Sequence, residues 1–140
     1  MQISVFSYGV GSISEFLDHS NEGSEMDKNT VLEAILFMES TLRADGLNVD
    51  KMILFGSHAG ATATKESDID VAIISEDFED KDIFERIEMT KNAEIQTIRK
   101  YLIPLDVITL SSGELQSESS LIAAYAKRGE VVSSAETKRQ

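Results

Sequence analysis

The sequence predicts an α+β fold in which helices pack on one face of a small mixed β-sheet. Short apolar runs of strand length occur at residues 52–55, 71–74 and 105–110, and such runs are typical of buried strands. Between and around these runs, apolar residues recur at the three- and four-residue spacing of helices that bury one side. Helices that alternate with short strands are expected to form layers around a single sheet.

The composition indicates one domain with a modest core and an acidic surface. The chain has 140 residues, of which 41% are apolar, and this is enough to close a single core. Its 25 acidic and 13 basic side chains give a net charge of −12. Because that charge repels polynucleotide phosphate, we expect no stand-alone binding of nucleic acid. The chain has no cysteine, so oxygen ligands would have to hold any metal.

The sequence also suggests where the domain lies in the chain. Residues 1–25 are expected to form an N-terminal arm or extension, residues 26–132 the domain, and residues 133–140 a frayed tail. No stretch approaches the roughly 18 consecutive apolar residues that span a bilayer. The amino terminus lacks the positive region of a secretory signal. We therefore expect a cytoplasmic protein that does not engage a membrane.

The first half of the domain reads as a helix followed by two strands. The helix is expected to start from an N-cap at Asp27 or Asn29 and to continue to about Ala44. Its predicted apolar face consists of Val31, Leu32, Ile35, Leu36 and Leu42. The strands at residues 52–55 and 71–74 follow, and the nearly continuous apolar character of the second predicts burial on both of its faces.

The second half begins with an acidic connection and a long amphipathic helix that continues to about Tyr101. The predicted apolar face of this helix consists of Ile83, Phe84, Ile87, Ile95, Ile98 and Leu102. Pro104 prevents its continuation and introduces the strand at residues 105–110. A further helix should follow and end at Gly129, and the apolar pair after that glycine can add a last short strand.

A glycine and a serine interrupt the chain directly after the first predicted strand. Gly56 allows the backbone to approach a ligand closely, and Ser57 adds a hydroxyl donor beside backbone amides. Such a turn can bind a phosphate group. Most Gly-Ser pairs are simple turns, however, and that interpretation stays open for this pair taken alone.

Three aspartates are candidate metal ligands. Asp68 and Asp70 stand two apart at the head of the second strand, so they face the same side and repel each other. A solvated pair of strand-end acids is the alternative interpretation. Asp106 is embedded in an apolar run, where burial is costly unless the carboxylate is paired or metal-bound. If the two strands are neighbours, the three carboxylates converge and favour Mg²⁺, with Mn²⁺ as the second choice.

The run LFGSHAGATATKESDIDVAI resembles the minimal nucleotidyltransferases of the DNA polymerase beta-like nucleotidyltransferase superfamily. Their signature is Gly-Ser, ten residues, then Asp-x-Asp, and Gly56, Ser57, Asp68 and Asp70 match it position for position. The order of helices and strands around the motif also fits, so the resemblance covers roughly residues 26–132.

The resemblance implies a polymerase beta-like fold and a two-metal enzyme that transfers a nucleoside monophosphate, most simply AMP from ATP, to a hydroxyl group. Gly56 and Ser57 would hold the departing phosphates. Asp68 and Asp70 would ligate two Mg²⁺ ions, and Asp106 would complete the site and help to deprotonate the acceptor. Two ions about 4 Å apart can activate a hydroxyl and neutralise a leaving phosphate.

The resemblance further implies a partner protein. Short chains of this kind act as antitoxins that adenylylate a hydroxyl side chain of a HEPN-domain ribonuclease, and the acidic composition suits a basic protein partner. Transfer to a small polycation such as an aminoglycoside is a second enzymatic possibility. A non-catalytic binding subunit that keeps the fold is the alternative from a different class.

The chain departs from the family pattern within the turn. Members commonly have Arg or Lys and then Gly where this chain has Gly60 and Ala61, so a cation is missing on the phosphate side. His58 and Lys65 are the possible substitutes, and Lys65 is retained as a weak candidate for phosphate binding. The departure affects the expected rate and substrate more than the expected fold.

Overall fold

The computed structural model of the chain describes residues 28–56, 68–117 and 120–134. Its elements are α1 (Lys28–Ala44), β1 (Lys51–Phe55), β2 (Ile69–Ile74), a 3₁₀ turn (Glu76–Phe78), α2 (Ile83–Tyr101), β3 (Leu105–Leu110), α3 (Ser112–Gln116), α4 (Leu121–Lys127) and β4 (Glu130–Ser134). The two long helices and the predicted strands are confirmed, with ends within two residues of the expected ones. The expected arm at residues 1–25 lies outside the described residues. In the part of the chain that the structure describes, no helix is long and apolar enough to cross a membrane.

The four strands form one mixed sheet in the order β3-β2-β1-β4. Strand β1 pairs antiparallel with both β2 and β4, whereas β2 and β3 are parallel. The α+β class and the mixed sheet are therefore as predicted. Strand β4 ends at Ser134, two residues inside the stretch expected to form the tail, and residues 135–140 lie outside the described part.

Both faces of the sheet are covered. Because side chains alternate along a strand, Met52 and Leu54 of β1 belong to the main core under α1 and α2, whereas Ile53 faces the other side. That second side carries a smaller apolar cluster, to which α3 contributes Leu115 and α4 contributes Ala126. The two long helices thus lie on one face as expected. The predicted burial of β2 on both faces is confirmed, since Val71, Ala72, Ile73 and Ile74 are all buried, but the sequence does not predict that the short helices cover the opposite face.

Local signals explain where α2 begins and ends. Asp82 caps its start, since the Asp82 carboxylate accepts a hydrogen bond from the Glu85 amide at 2.8 Å and the Glu85 side chain accepts one from the Asp82 amide at 3.2 Å. This reciprocal pair is a capping box. At the other end Leu102 takes a left-handed conformation with φ of 55°, and Pro104 prevents further helix.

The inward face of α2 is largely polar, and this differs from the predicted apolar face. The buried residues of α2 are Arg86, Thr90, Ala93, Glu94, Thr97 and Ile98. Of the predicted face, only Ile98 is buried, while Phe84 is 75% exposed and Leu102 is 43% exposed. The prediction was wrong because apolar spacing does not reveal polar side chains that find partners inside the fold. Thr90 Oγ1, for example, donates to Glu94 Oε2 at 2.9 Å.

Helix α1 follows its prediction more closely. Its buried residues are Val31, Ala34, Ile35, Met38, Glu39 and Leu42. Leu32 packs at the margin of the core, but Leu36 is 43% exposed, so its assignment to the apolar face is wrong. Glu39 is a charged residue on this buried face. Its carboxylate accepts a hydrogen bond from Arg43 Nη2 at 2.9 Å.

Arg86 ties α2 to the edge strand β3 and to α3. Its Nη1 donates to the Thr109 carbonyl at 3.0 Å and to Glu114 Oε1 at 2.8 Å, and its Nε donates to the Lys81 carbonyl at 3.0 Å. The guanidinium also lies 5.6 Å from the centroid of the Phe78 ring. Burial opposes ionisation of Glu114, yet the hydrogen bonds and the charge of Arg86 lower its pKa. The nearly buried arginine is thus fully engaged in holding three elements together.

Candidate functional site

Asp70 and Asp106 lie side by side on neighbouring strands. They are Cα partners in the parallel pairing of β2 with β3, and paired strands lie about 4.8 Å apart. The Ile69 amide donates to the Pro104 carbonyl at 2.8 Å, which fixes the starts of the two strands against each other. Asp68 stands two residues before Asp70, just outside β2. The three acids were predicted to converge if their two strands are neighbours. The structure shows that the strands are neighbours.

The acid pair faces the side of the sheet opposite to the long helices. Ile69 and Val71 are fully buried in the core beneath α1 and α2, so Asp70 between them faces the other way. Asp106, its in-register neighbour, shares that face. On the other side of Asp70 its pairing partner is Phe55, the last residue of β1. The acids thus lie at the sheet edge where β1 ends and where β2 and β3 begin.

Gly56 lies in close contact with the acid pair at the end of β1. Its φ is +72°, a left-handed conformation that favours glycine. A Cβ atom at this position would collide with Asp70 Oδ2 and lie 3.0 Å from Asp70 Cγ. The glycine therefore brings the start of the turn directly against the Asp70 carboxylate. The remaining predicted or discussed turn residues, Ser57, His58, Gly60, Ala61 and Lys65, lie outside the described residues.

Gly129 also shapes this region, and the sequence did not predict this role. Gly129 reads as a helix C-cap, but the structure also places it against β1, where an added Cβ would meet the Leu54 carbonyl and lie 2.7 Å from Ile53 Cγ2 and 3.0 Å from Phe55 Cβ. A larger residue here would displace β1 at its site end. No local pattern in the sequence signals this close approach.

The electrostatics of the acid pair are unfavourable for a metal-free chain. Burial, followed by the charges of Asp106 and Asp68, raises the pKa of Asp70 from its ordinary value of 3.8 to about 7. Burial also raises the pKa of Asp106. Near neutral pH Asp70 consequently competes for a proton, and a bound cation would offset the carboxylate repulsion that adds to burial in raising the Asp70 pKa.

The donor chemistry of this site fits a hard divalent cation, although no cage is preassembled. Among residues 28–56, 68–117 and 120–134, no group of three carboxylate, imidazole or thiolate side chains already surrounds a common point. Asp68, Asp70 and Asp106 do offer only carboxylate oxygens, the ligand type that Mg²⁺ and Mn²⁺ prefer. Because like charges repel, closing these side chains around one point requires the cation itself. The three-ligand site stays a prediction.

The fold is that of a nucleotidyltransferase domain, and comparison with known families makes this assignment specific. The family model described as Polymerase beta, Nucleotidyltransferase matches residues 38–137. The chain therefore belongs to the polymerase beta family of nucleotidyltransferases, and the relationship inferred from the Gly-Ser and Asp-x-Asp motif is confirmed. No curated protein sequence matches the chain significantly.

Two solved structures share the fold at low sequence identity. A proposed nucleotidyltransferase from Sulfolobus solfataricus is 19% identical, with a TM-score of 0.56, and the match covers 83% of this chain and 95% of that one. A toxin-antitoxin structure with AMP-PNP is also 19% identical, with a TM-score of 0.51, and the match covers 81% of this chain and 77% of that one. At this identity the two likenesses establish a common fold.

Proposed function

We propose that the chain transfers AMP from ATP to a hydroxyl group, with release of pyrophosphate. The observation that carries this proposal is the in-register pairing of Asp70 with Asp106, directly beside the glycine turn. In a member of a nucleotidyltransferase family, paired carboxylates at such a strand edge are the natural place for phosphoryl chemistry. The raised pKa of Asp70 supports the same location, since strongly perturbed groups cluster at functional sites.

The proposed reaction assigns a task to each residue of the site. The acceptor oxygen forms a bond to the α-phosphorus while the bond from that phosphorus to the bridging oxygen breaks, and pyrophosphate leaves. Asp106 accepts the proton of the hydroxyl group. Asp68, Asp70 and Asp106 would hold two Mg²⁺ ions, with Mn²⁺ as a substitute, and bound Mg²⁺ would neutralise phosphate charge. Gly56, with Ser57 after it, would bind the departing phosphates.

The acceptor is proposed to be a side-chain hydroxyl of a basic partner protein, of the HEPN-domain toxin type. Two observations support this choice. The net charge of −12 attracts a basic protein and repels free nucleic acid. One structure of the same fold is a toxin-antitoxin structure with AMP-PNP. By analogy, we propose that the present chain also binds a nucleotide and a toxin partner.

The position of the phosphate label in ATP tests the transfer directly. The purified chain is incubated with Mg²⁺, the purified product of the gene next to its own, and ATP labelled on either the α- or the γ-phosphate. Label from the α-position should enter the partner protein and label from the γ-position should not. The Asp70→Asn and Asp106→Asn variants should lose transfer, whereas Glu33→Gln, an exposed change on α1, should retain it.

The outcomes separate the enzyme from the alternative binding subunit. Entry of the γ-label would indicate a kinase and refute nucleotidyl transfer. If neither label moves and the chain still binds the partner in the presence of a chelator, the non-catalytic subunit is the better description. Transfer to an aminoglycoside with none to the protein would move the acceptor to the small-molecule class.

A further inference from the structure

The outer side of α2 carries an apolar stripe that the described part of the chain leaves partly exposed. We call Phe84, Ile87, Ile95 and Leu102 the α2 flank. At 3.6 residues per turn these positions fall within roughly 80° of the helix circumference. Phe84 is 75% exposed and Leu102 is 43% exposed, while Ile87 and Ile95 are half-buried. The flank is thus a partly exposed apolar stripe that is most exposed at Phe84, with Lys91 between Ile87 and Ile95.

A helix of a soluble domain normally turns its apolar stripe toward its own core. In α2 the inward positions are instead taken largely by polar residues, including Arg86, Thr90 and Thr97, whose hydrogen bonds are made within the domain. Much of the apolar stripe therefore faces away from the core of the domain. An apolar surface of this kind, with a phenylalanine as its most exposed member, is typical of a protein-protein contact.

The charges around the flank indicate which kind of partner it fits. Acidic side chains are dense at the start of α2, where Asp80, Asp82, Glu85 and Glu88 are all exposed in the neighbourhood of Phe84. The exposed basic residues here are Lys81, three residues before Phe84, and Lys91, which pairs with Glu88 at 2.8 Å, while Arg99 and Lys100 lie at the opposite end of α2. The acidic rim therefore surrounds Phe84, where it repels both an anionic membrane surface and a second copy of this acidic chain. It favours a partner that surrounds its apolar contact with Lys and Arg.

The flank lies largely away from the acid pair. Asp106 follows the carboxyl end of α2, whereas Phe84 is at the amino end, and the axis of this helix is about 27 Å long. The two surfaces are on different parts of the fold, since the acids face the side of the sheet opposite to α2. Docking at Phe84 is therefore separable from chemistry at Asp70 and Asp106.

We propose that the α2 flank is the docking surface for a basic protein partner, with Phe84 as the aromatic anchor that enters an apolar groove of that partner. The identification of this partner with the acceptor of AMP rests on the proposed function. The docking itself depends only on the exposure, spacing and charge of the flank. Binding should weaken as salt rises, because the acidic rim contributes by attraction of opposite charge.

Photo-crosslinking in the full chain identifies what covers the flank. The photoreactive residue p-benzoylphenylalanine is placed at position 84 in the native host and, as a matched control, at position 36 on α1, where the natural leucine is 43% exposed. The expected result is one discrete adduct at position 84 with a protein rich in Lys and Arg, and none at position 36. An adduct with a second copy, with lipid or with residues 1–27 of the same chain, or no adduct, would overturn the proposal.

Affinity measurement with the identified protein, purified separately, completes the test. Phe84→Ser should raise its Kd about tenfold or more, as expected for an aromatic anchor, while Leu36→Ser should change it less than about twofold. An equal Kd for wild type and Phe84→Ser would overturn the proposal even if an adduct had formed. Both substitutions are at exposed positions, and circular dichroism would verify that each variant is folded.

The design also separates docking from nucleotidyl transfer. Asp70→Asn should bind the partner as wild type does, while Phe84→Ser should keep the Mg²⁺ affinity of wild type and raise the KM for the partner with little change in kcat. If the partner binds through Phe84 but receives no α-label, the transfer fails and the docking surface stands. If it receives label with the same KM from wild type and Phe84→Ser, the docking surface fails and the transfer stands.

Discussion

Replacing Asp70 by asparagine should stabilise the metal-free protein, although the residue lies at the centre of the candidate site. The rise of the Asp70 pKa from 3.8 to about 7 corresponds to about 4 kcal/mol, at about 1.4 kcal/mol per pKa unit. Because Asp70 is only half-buried, solvent screening reduces this figure to about 2 kcal/mol. Asp70→Asn removes the charge and keeps the shape, so the free energy of unfolding should rise by about that amount at pH 8.

The effect has a definite pH dependence. The folded chain binds a proton at Asp70 more tightly than the unfolded chain, so this group favours folding fully below about pH 4 and loses that contribution as the pH rises through about 7. Wild type should therefore approach Asp70→Asn in stability as the pH falls. The difference should therefore be smaller at pH 5 than at pH 8.

Urea denaturation followed by circular dichroism, with a chelator present, measures these differences. The control is Glu33→Gln, which removes one exposed charge on α1 and should change the stability by less than about 0.5 kcal/mol. Equal stability of wild type and Asp70→Asn at pH 8 would refute the reasoning. So would a difference that is the same at pH 8 and pH 5, because it could not then come from ionisation of Asp70.

Three other predictions follow from the same structure. Arg86→Met should lower the free energy of unfolding by about 2 kcal/mol in urea denaturation, since it leaves two carbonyls and a carboxylate without their donor. Lys91→Met, at an exposed pair, should cost under about 0.5 kcal/mol. Equal costs would contradict the role of the buried guanidinium. Gly56→Ala should cost about 3 kcal/mol through left-handed strain and collision with Asp70, whereas Gly46→Ala, with φ of +98° and open space around it, should cost only about 1 kcal/mol in the same assay. Mg²⁺ binding at pH 7 should release protons and weaken at lower pH, because ligation requires ionised Asp70. Calorimetry in buffers of different ionisation enthalpy measures this release. Binding heats that do not depend on the buffer would contradict a metal at this residue.

The sequence was sufficient for the two long helices, the strands and the pairing of the two acids, but the single helix expected before Gly129 is two short helices, α3 and α4. Apolar periodicity and the single proline predicted the extent of α2, and these signals are local, so they can be interpreted without a structure. The placement of Asp106 beside Asp70 depended on one condition, that the strand predicted at residues 105–110 neighbours the strand predicted at residues 71–74, and the observed parallel pairing meets this condition. The two glycines 56 and 129 illustrate the limit, because a close approach between distant segments leaves no local pattern.

The orientation of α2 could not be predicted from its pattern. Apolar spacing reveals that a helix has an apolar side, but it does not reveal what that side contacts. Inside this domain Arg86 finds a carbonyl on β3 and a carboxylate on α3, and Thr97 donates back to the Ala93 carbonyl at 2.7 Å. Once such partners satisfy the inward polar groups, the domain can bury them and leave Phe84 at the surface.

Two features of this domain would be completed by positive charge. At the sheet edge, burial and the neighbouring carboxylates raise the Asp70 pKa to about 7, and a bound cation would offset the cost of ionising this residue. In the turn, Gly60 and Ala61 stand where relatives commonly place a cation on the phosphate side. Mg²⁺ can supply the first charge, but it does not replace a side chain that holds the departing phosphates. A basic protein docked on the α2 flank and extending about 27 Å along the helix toward the site could supply the second. The acidic chain and the missing cation would then have one physical explanation, a transferase whose phosphate site is completed by the protein it modifies.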